Sequence, residues 1–156
     1  MRKTLLTIVA VISLMSCVTS KDLGSAEPTT KQVTNTLNKD SNYVEANEWM
    51  VNSFTNAESV IQFTDKAAGI VKGKYLLKDG VASSTYSTGY ASIYATITVR
   101  VKDNAAKLEI EPLSNFYSMK SMGVEYGFTK ENFQLTVRAL ETSFTEAMTE
   151  SSNNDW

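Results

Sequence analysis

Apolar and polar residues alternate from Ile93 to Lys102: Ile93, Ala95, Ile97, Val99 and Val101 fall on one side, Tyr94, Thr96, Thr98, Arg100 and Lys102 on the other. A period of two held this long predicts a strand with one buried and one solvated face, the pattern of an antiparallel sheet. The alternation resumes over Lys107 to Glu111, with Leu108 and Ile110 inward, after a turn near Asp103-Asn104. A register pairing Lys102 with Glu109 and Arg100 with Glu111 would set opposite charges across the polar face.

Other stretches follow the helical period. After Thr129, a capping residue, Phe133, Val137, Leu140, Phe144 and Ala147/Met148 recur at spacings of three and four, predicting an amphipathic helix to about Met148. Asp40 or Ser41 is expected to cap an earlier helix to about Phe54, with Tyr43, Ala46, Met50 and Phe54 inward and Trp49 and Val51 on the flanks. Ser59 to Thr64 and Ile70 to Leu77 read as a hairpin around Asp65–Gly69, closed by Asp79-Gly80. Lys31 to Leu37 reads as a short first strand. The expected fold is α+β, in the order (β)αββββα: a curved antiparallel sheet of four to five strands with two amphipathic helices packed on one face and the other face polar.

The N-terminus follows a third pattern. Arg2 and Lys3 precede an apolar run from Leu5 to Leu14. Ten helical residues rise about 15 Å, roughly half of a ~30 Å hydrocarbon core, so the run suits a cleaved export signal rather than a spanning helix. It ends in Leu14-Met15-Ser16-Cys17, which resembles a bacterial lipobox, and Cys17 is the one cysteine of the chain. The resemblance implies a diacyl or triacyl cysteine at the start of the mature protein; an ordinary secretory signal with an incidental cysteine is the alternative. Two or three acyl chains anchor stably where one does not. Residues 17–30 then read as the lipidated cysteine and a flexible polar tether reaching ~20 Å, 31–148 as one domain, and 149–156 as a polar tail.

Composition narrows the chemistry. Removing residues 1–16 takes Arg2 and Lys3 from 15 basic side chains, leaving 13 against 17 acidic ones, net −4. Such a balance lacks the basic field of a nucleic-acid binder. Histidine is absent, so no Ser-His-Asp or Cys-His system and no thiolate zinc site can be assembled. Lys72-Gly73-Lys74 lacks the rest of a phosphate loop. Glu109 and Glu111 share one strand face about 7 Å apart without a second catalytic signal. No cofactor and no metal are expected, and the chain is not expected to be an enzyme.

Lys39-Asp40, Tyr43, Ala46 and Trp49 are followed by Val60-Ile61-Gln62, Asp65-Lys66, Gly69-Ile70 and Lys72-Gly73-Lys74. This stretch, about a quarter of the chain, resembles the domain of unknown function with a TATA-box-binding-protein-like (TBP-like) fold, found mostly in exported proteins and lipoproteins of Bacteroidetes. The resemblance implies a TBP-like fold that agrees with the element order, and it carries no catalytic or binding role onto any position. Fold alone does not imply DNA binding either. Each motif residue also has a structural explanation: Tyr43 and Trp49 as helix-to-sheet anchors, Gly69 for a turn, Gly73 for a close approach or bulge.

Aromatic residues gather in expected loops: Tyr86, Tyr90 and Tyr94, then Phe116, Tyr117, Tyr126 and Phe128. Tyr among Ser, Thr and Gly suits contact surfaces, which nominates Tyr86, Tyr90 and Tyr94 as a binding patch; the plainer reading sets Tyr94 on the sheet's polar face and has the others seal loop edges. The chain reads as a lipid-anchored cell-envelope protein of unknown biochemical activity, a non-catalytic binding module for an envelope protein, peptide or glycan. A structural subunit of an envelope assembly, or a hydrolase using carboxylates, is the alternative.

Overall fold

The computed structural model describes residues 19–56, 59–83, 89–121 and 124–150. In chain order the elements are β1 (Thr19–Gly24), β2 (Thr29–Thr34), α1 (Lys39–Ser53), β3 (Val60–Asp65), β4 (Ile70–Lys78), β5 (Ile93–Lys102), β6 (Ala105–Pro112), β7 (Phe116–Ser121), β8 (Val124–Phe128) and α2 (Lys130–Glu150). A five-stranded antiparallel sheet runs β2-β6-β5-β4-β3, and a three-stranded one runs β1-β7-β8.

The inward residues of β5, with Val71, Leu108 and Ile110, form the floor of the core. Both helices cover that floor. Helix α2 buries Phe133, Val137, Leu140, Phe144 and Met148, the predicted stripe. The Thr129 hydroxyl accepts the Asn132 amide at 3.3 Å while Asn132 Oδ1 accepts the Thr129 amide at 3.0 Å, a reciprocal N-terminal cap. Helix α1 buries Asn42, Ala46, Trp49 and Met50. Trp49, expected at the edge of the stripe, is only 4% exposed. Its ring stands edge-on to Phe144 at 5.1 Å and its Nε1–H donates to Ser143 Oγ at 3.1 Å, fastening the helices together.

Several expectations are corrected. The α1 cap is Asn38, whose side chain accepts the Ser41 amide at 2.9 Å; Asp40 lies inside the first turn. The β5–β6 register is tighter than charge pairing suggested: Lys102 faces Ala105, Arg100 faces Lys107, Thr98 faces Glu109 and Thr96 faces Glu111. A two-residue connection at Asp103-Asn104, with Asn104 at φ 61°, sets that register, so turn geometry outweighs a surface ion pair. The final helix continues to Glu150, two residues into the expected tail. The small sheet was not anticipated. Thr19–Gly24, read as tether, is a strand on β7, and Phe116, Tyr117, Tyr126 and Phe128, read as loop residues, lie in β7 and β8. β1 is almost wholly polar (Thr-Ser-Lys-Asp-Leu-Gly), β7 (Phe-Tyr-Ser-Met-Lys-Ser) has no regular period of two, and the alternation of β8 (Val-Glu-Tyr-Gly-Phe) is only five residues long. What holds them is tertiary: Phe116 and Phe128 meet edge-to-face at 5.2 Å, and Phe116 packs on Phe133 at 5.4 Å.

Candidate functional site

The pleat sends every second residue of the large sheet away from the helices. Tyr94 lies opposite Leu76, Thr96 opposite Lys74 and Glu111, and Thr98 opposite Lys72 and Glu109. On β3, Val60 faces Lys74 and Phe63 faces Lys72, and Phe63 is 49% exposed. The Lys74 ammonium stands 3.4 Å from the centre of the Tyr94 ring, a cation–π contact of about 0.5–1 kcal/mol at an exposed site. Thr96 and Thr98 are only 8% exposed: the long stems of the facing lysines and glutamates shade the middle of this face.

Toward the β5–β6 turn the same face becomes cationic. A shallow hollow of about 220 Å³ is lined by Gln32, Arg100, Lys102, Ala105 and Lys107, together with Val101 and Ala106. Arg100 lies directly across from Lys107, a like-charge pair that a sheet holds at a loss. Lys107 finds Glu109 at 3.7 Å, whereas Arg100 and Lys102 make no ion pair among the described residues. Sequence reading missed this cluster because its register brought glutamates opposite both cations. The available signal was Arg100 and Lys102 on one strand face, followed by Lys107 across a two-residue turn.

Of the residues nominated from sequence, Cys17 and Tyr86 lie outside the described residues. Tyr94 belongs to the open face. Tyr90 has a different setting: it exchanges backbone hydrogen bonds with Val81 at 2.9 and 2.8 Å, and its ring lies 5.3 Å from Tyr117. Tyr90 and Tyr94 therefore have separate partners. Burial, then the neighbouring Tyr90, pushes the Tyr117 phenol up to about 12; its hydroxyl has no hydrogen-bond partner among the described residues. Glu109 and Glu111 face Thr98 and Thr96, with Glu109 beside Lys107, and do not converge on a pocket. Among the described residues no group of three or more His, Cys, Asp or Glu side chains is placed to hold a metal ion, and no helix is long and apolar enough to cross a membrane.

The stretch from Lys39 to Lys74 that carries the family resemblance forms mainly a joint between α1 and the β3–β4 hairpin. The Lys39 amide donates to Asp103 Oδ1 at 2.7 Å and its ammonium to the Ala67 carbonyl; Asp40 pairs with Lys66 at 3.4 Å. Gly69 turns the chain at φ 69°, where a Cβ would lie 2.5 Å from the Val101 carbonyl. At Gly73 a Cβ would lie 2.4 Å from the Phe54 ring, so the glycine admits the C-terminal end of α1 onto the sheet. Lys72 and Lys74, on either side of it, project to the open face.

No curated protein matches the chain. Among solved structures it is similar to a DUF4468 family protein from Bacteroides ovatus, at 18% identity and a TM-score of 0.41, over 83% of this chain and 84% of that one. The family model described as a domain of unknown function (DUF4468) with TBP-like fold matches residues 30–117, from β2 into β7 and more than half of the chain. The chain therefore belongs to the DUF4468 family of TBP-like domains.

Proposed function

We propose that this protein is a lipid-anchored cell-envelope lipoprotein whose domain is a non-catalytic binding module. The open sheet face takes an acidic peptide or an anionic glycan. The observation that carries this reading is the juxtaposition, on the sheet face turned away from the helices, of an aromatic–cation strip, Phe63, Lys74 and Tyr94, with the cationic hollow at Arg100, Lys102 and Lys107. Aromatic faces supply contact area at low entropic loss, and a guanidinium beside ammonium groups suits carboxylate, sulfate or phosphate oxygens. The hollow is shallow and its walls are side chains of β-strands, an arrangement suited to holding a group rather than to enclosing a reaction. Anchoring rests on the lipobox-like Leu14-Met15-Ser16-Cys17.

Two measurements test the two halves. Mass spectrometry of the protein from its native host is expected to find a diacylglycerol thioether on a Cys17 that begins the mature chain; a free thiol on an uncleaved leader overturns the anchor. Binding to acidic peptide and sulfated glycan arrays is expected to fall at least tenfold in Arg100→Glu and in Tyr94→Ala. Unchanged binding, or no binding by the parent protein, overturns the module. A second reading, an envelope assembly subunit, is favoured by the exposed apolar residues Val60 and Phe63 on β3, an edge strand of the large sheet.

A further inference from the structure

We infer that the end of the small sheet beside the β7–β8 connection is seated on the lipid bilayer. The inference rests on the Cys17 anchor proposed above. Strand β1 begins at Thr19, already paired with Lys120 of β7, which leaves one residue, Val18, between the anchor and the folded sheet. Two Cα steps span at most about 8 Å, close to the ~6 Å thickness of one headgroup layer implied by bilayer dimensions. Neighbouring strands lie about 5 Å apart, so Lys120 and its own partner Glu125 on β8 come within about 20 Å of Cys17. A thirteen-residue tether would let the domain turn freely. One spacer residue does not.

The residues at that end suit the contact. Val124 and Tyr126 occupy alternate positions of β8, the sheet's edge, and each is 51% exposed. Tyrosine is one of the two side chains enriched at the headgroup boundary, and Val124 adds apolar surface beside it. Lys21 of β1 and Lys120 of β7 are exposed cations available to anionic headgroups. Two carboxylates share that end and keep their charge, Glu125 accepting the Ser118 hydroxyl and Asp22 the Gly24 amide and the Asn115 side chain. The two lysines offset them, so the seat relies on the lipid anchor and the exposed Val124 and Tyr126 rather than on net charge. Strand β6 runs about 25 Å from the cationic hollow to Pro112, where the chain leaves for the small sheet. The hollow therefore lies about a strand length from the junction between the two sheets.

Site-directed spin labelling of the full lipidated chain in vesicles of phosphatidylethanolamine and phosphatidylglycerol tests the seat. Nitroxides on Val124→Cys and Tyr126→Cys are compared with one on Lys66→Cys in the β3–β4 turn. The expected result is several-fold lower accessibility to a water-soluble nickel chelate, and higher accessibility to oxygen, at 124 and 126 than at 66. Equal nickel access at all three, in protein whose Cys17 is confirmed as lipidated, overturns the seat while leaving the anchor intact. Low access to both reagents at 124 and 126 marks a protein partner or second copy there and also overturns it. An unlipidated Cys17 removes the anchor and the seat together.

Discussion

Asn42 shows how a single polar side chain can hold a corner of the core. It is fully buried on the face of α1 where an apolar residue would be expected. Its side-chain amide donates to the Lys102 carbonyl at 2.9 Å and the Leu37 carbonyl at 3.2 Å, and its oxygen accepts from Asn35 at 2.7 Å. The helix start, the end of β2 and the end of β5 are thereby tied to one point. Asn42→Leu keeps the volume but orphans those groups, so a loss of about 1–3 kcal/mol is expected, read as a lower urea midpoint at unchanged m-value. Tyr117 adds a pH effect. Its folded pKa, about 12, lies above the ordinary 10, so the folded state keeps a proton that the unfolded chain loses. The associated stability is complete below pH 10 and declines as pH rises from 10 to 12. A tyrosinate absorbance titration is expected to show a late step that Tyr117→Phe removes, and that variant's stability is expected to fall less steeply above pH 10.

At the scale of elements, the β5–β6 hairpin shows a turn and a charge pattern in conflict. Arg100 and Lys107 face each other because the two-residue connection sets the register. The cross-strand repulsion is small beside the burial of Ile97, Val99, Leu108 and Ile110, which a one-residue slip would undo. Arg100→Glu creates an opposite-charge pair and is expected to raise stability by about 0.2–1 kcal/mol in thermal or urea unfolding, even as it weakens anion binding. A stabilised variant that binds less would mark Arg100 as kept for recognition rather than for folding. Where the pattern was regular, as in β5, β6 and α2, it named the buried residues before the structure did. In β7 and β8 it did not: the burial of β7 comes from Phe116 resting on Phe133 of α2 rather than from alternation, and β8 alternates over only five residues, with Phe128 packed on Phe116.

For the whole molecule, the decisive change is that the stretch beginning at Thr19 is folded. A flexible tether would leave the Lys21–Asp22 bond open to trypsin, whereas a strand paired through Lys21 with Ser118 protects it. Limited proteolysis of the native protein is expected to spare Lys21 under conditions that cleave the unfolded chain there; rapid native cleavage would restore the tether. Folding of this stretch makes Thr19–Gly24 part of the domain's own sheet rather than a leash to it.

The chain alone determined the elements whose burial is periodic: the long β5 strand, its partner β6, the stripe of α2 and the order of helices and strands in the TBP-like core. Local periodicity reports a face, and a face is enough to name a core. Tertiary structure decided the rest. The second sheet exists because distant segments pair with one another, Phe116 finds Phe133 of α2 and Phe128 packs on Phe116. The cationic hollow exists because a turn chose the register that brings Lys107 opposite Arg100, and the separate settings of Tyr90 and Tyr94 follow from which strands lie beside them. Contacts between segments far apart in the chain leave no period behind to be read.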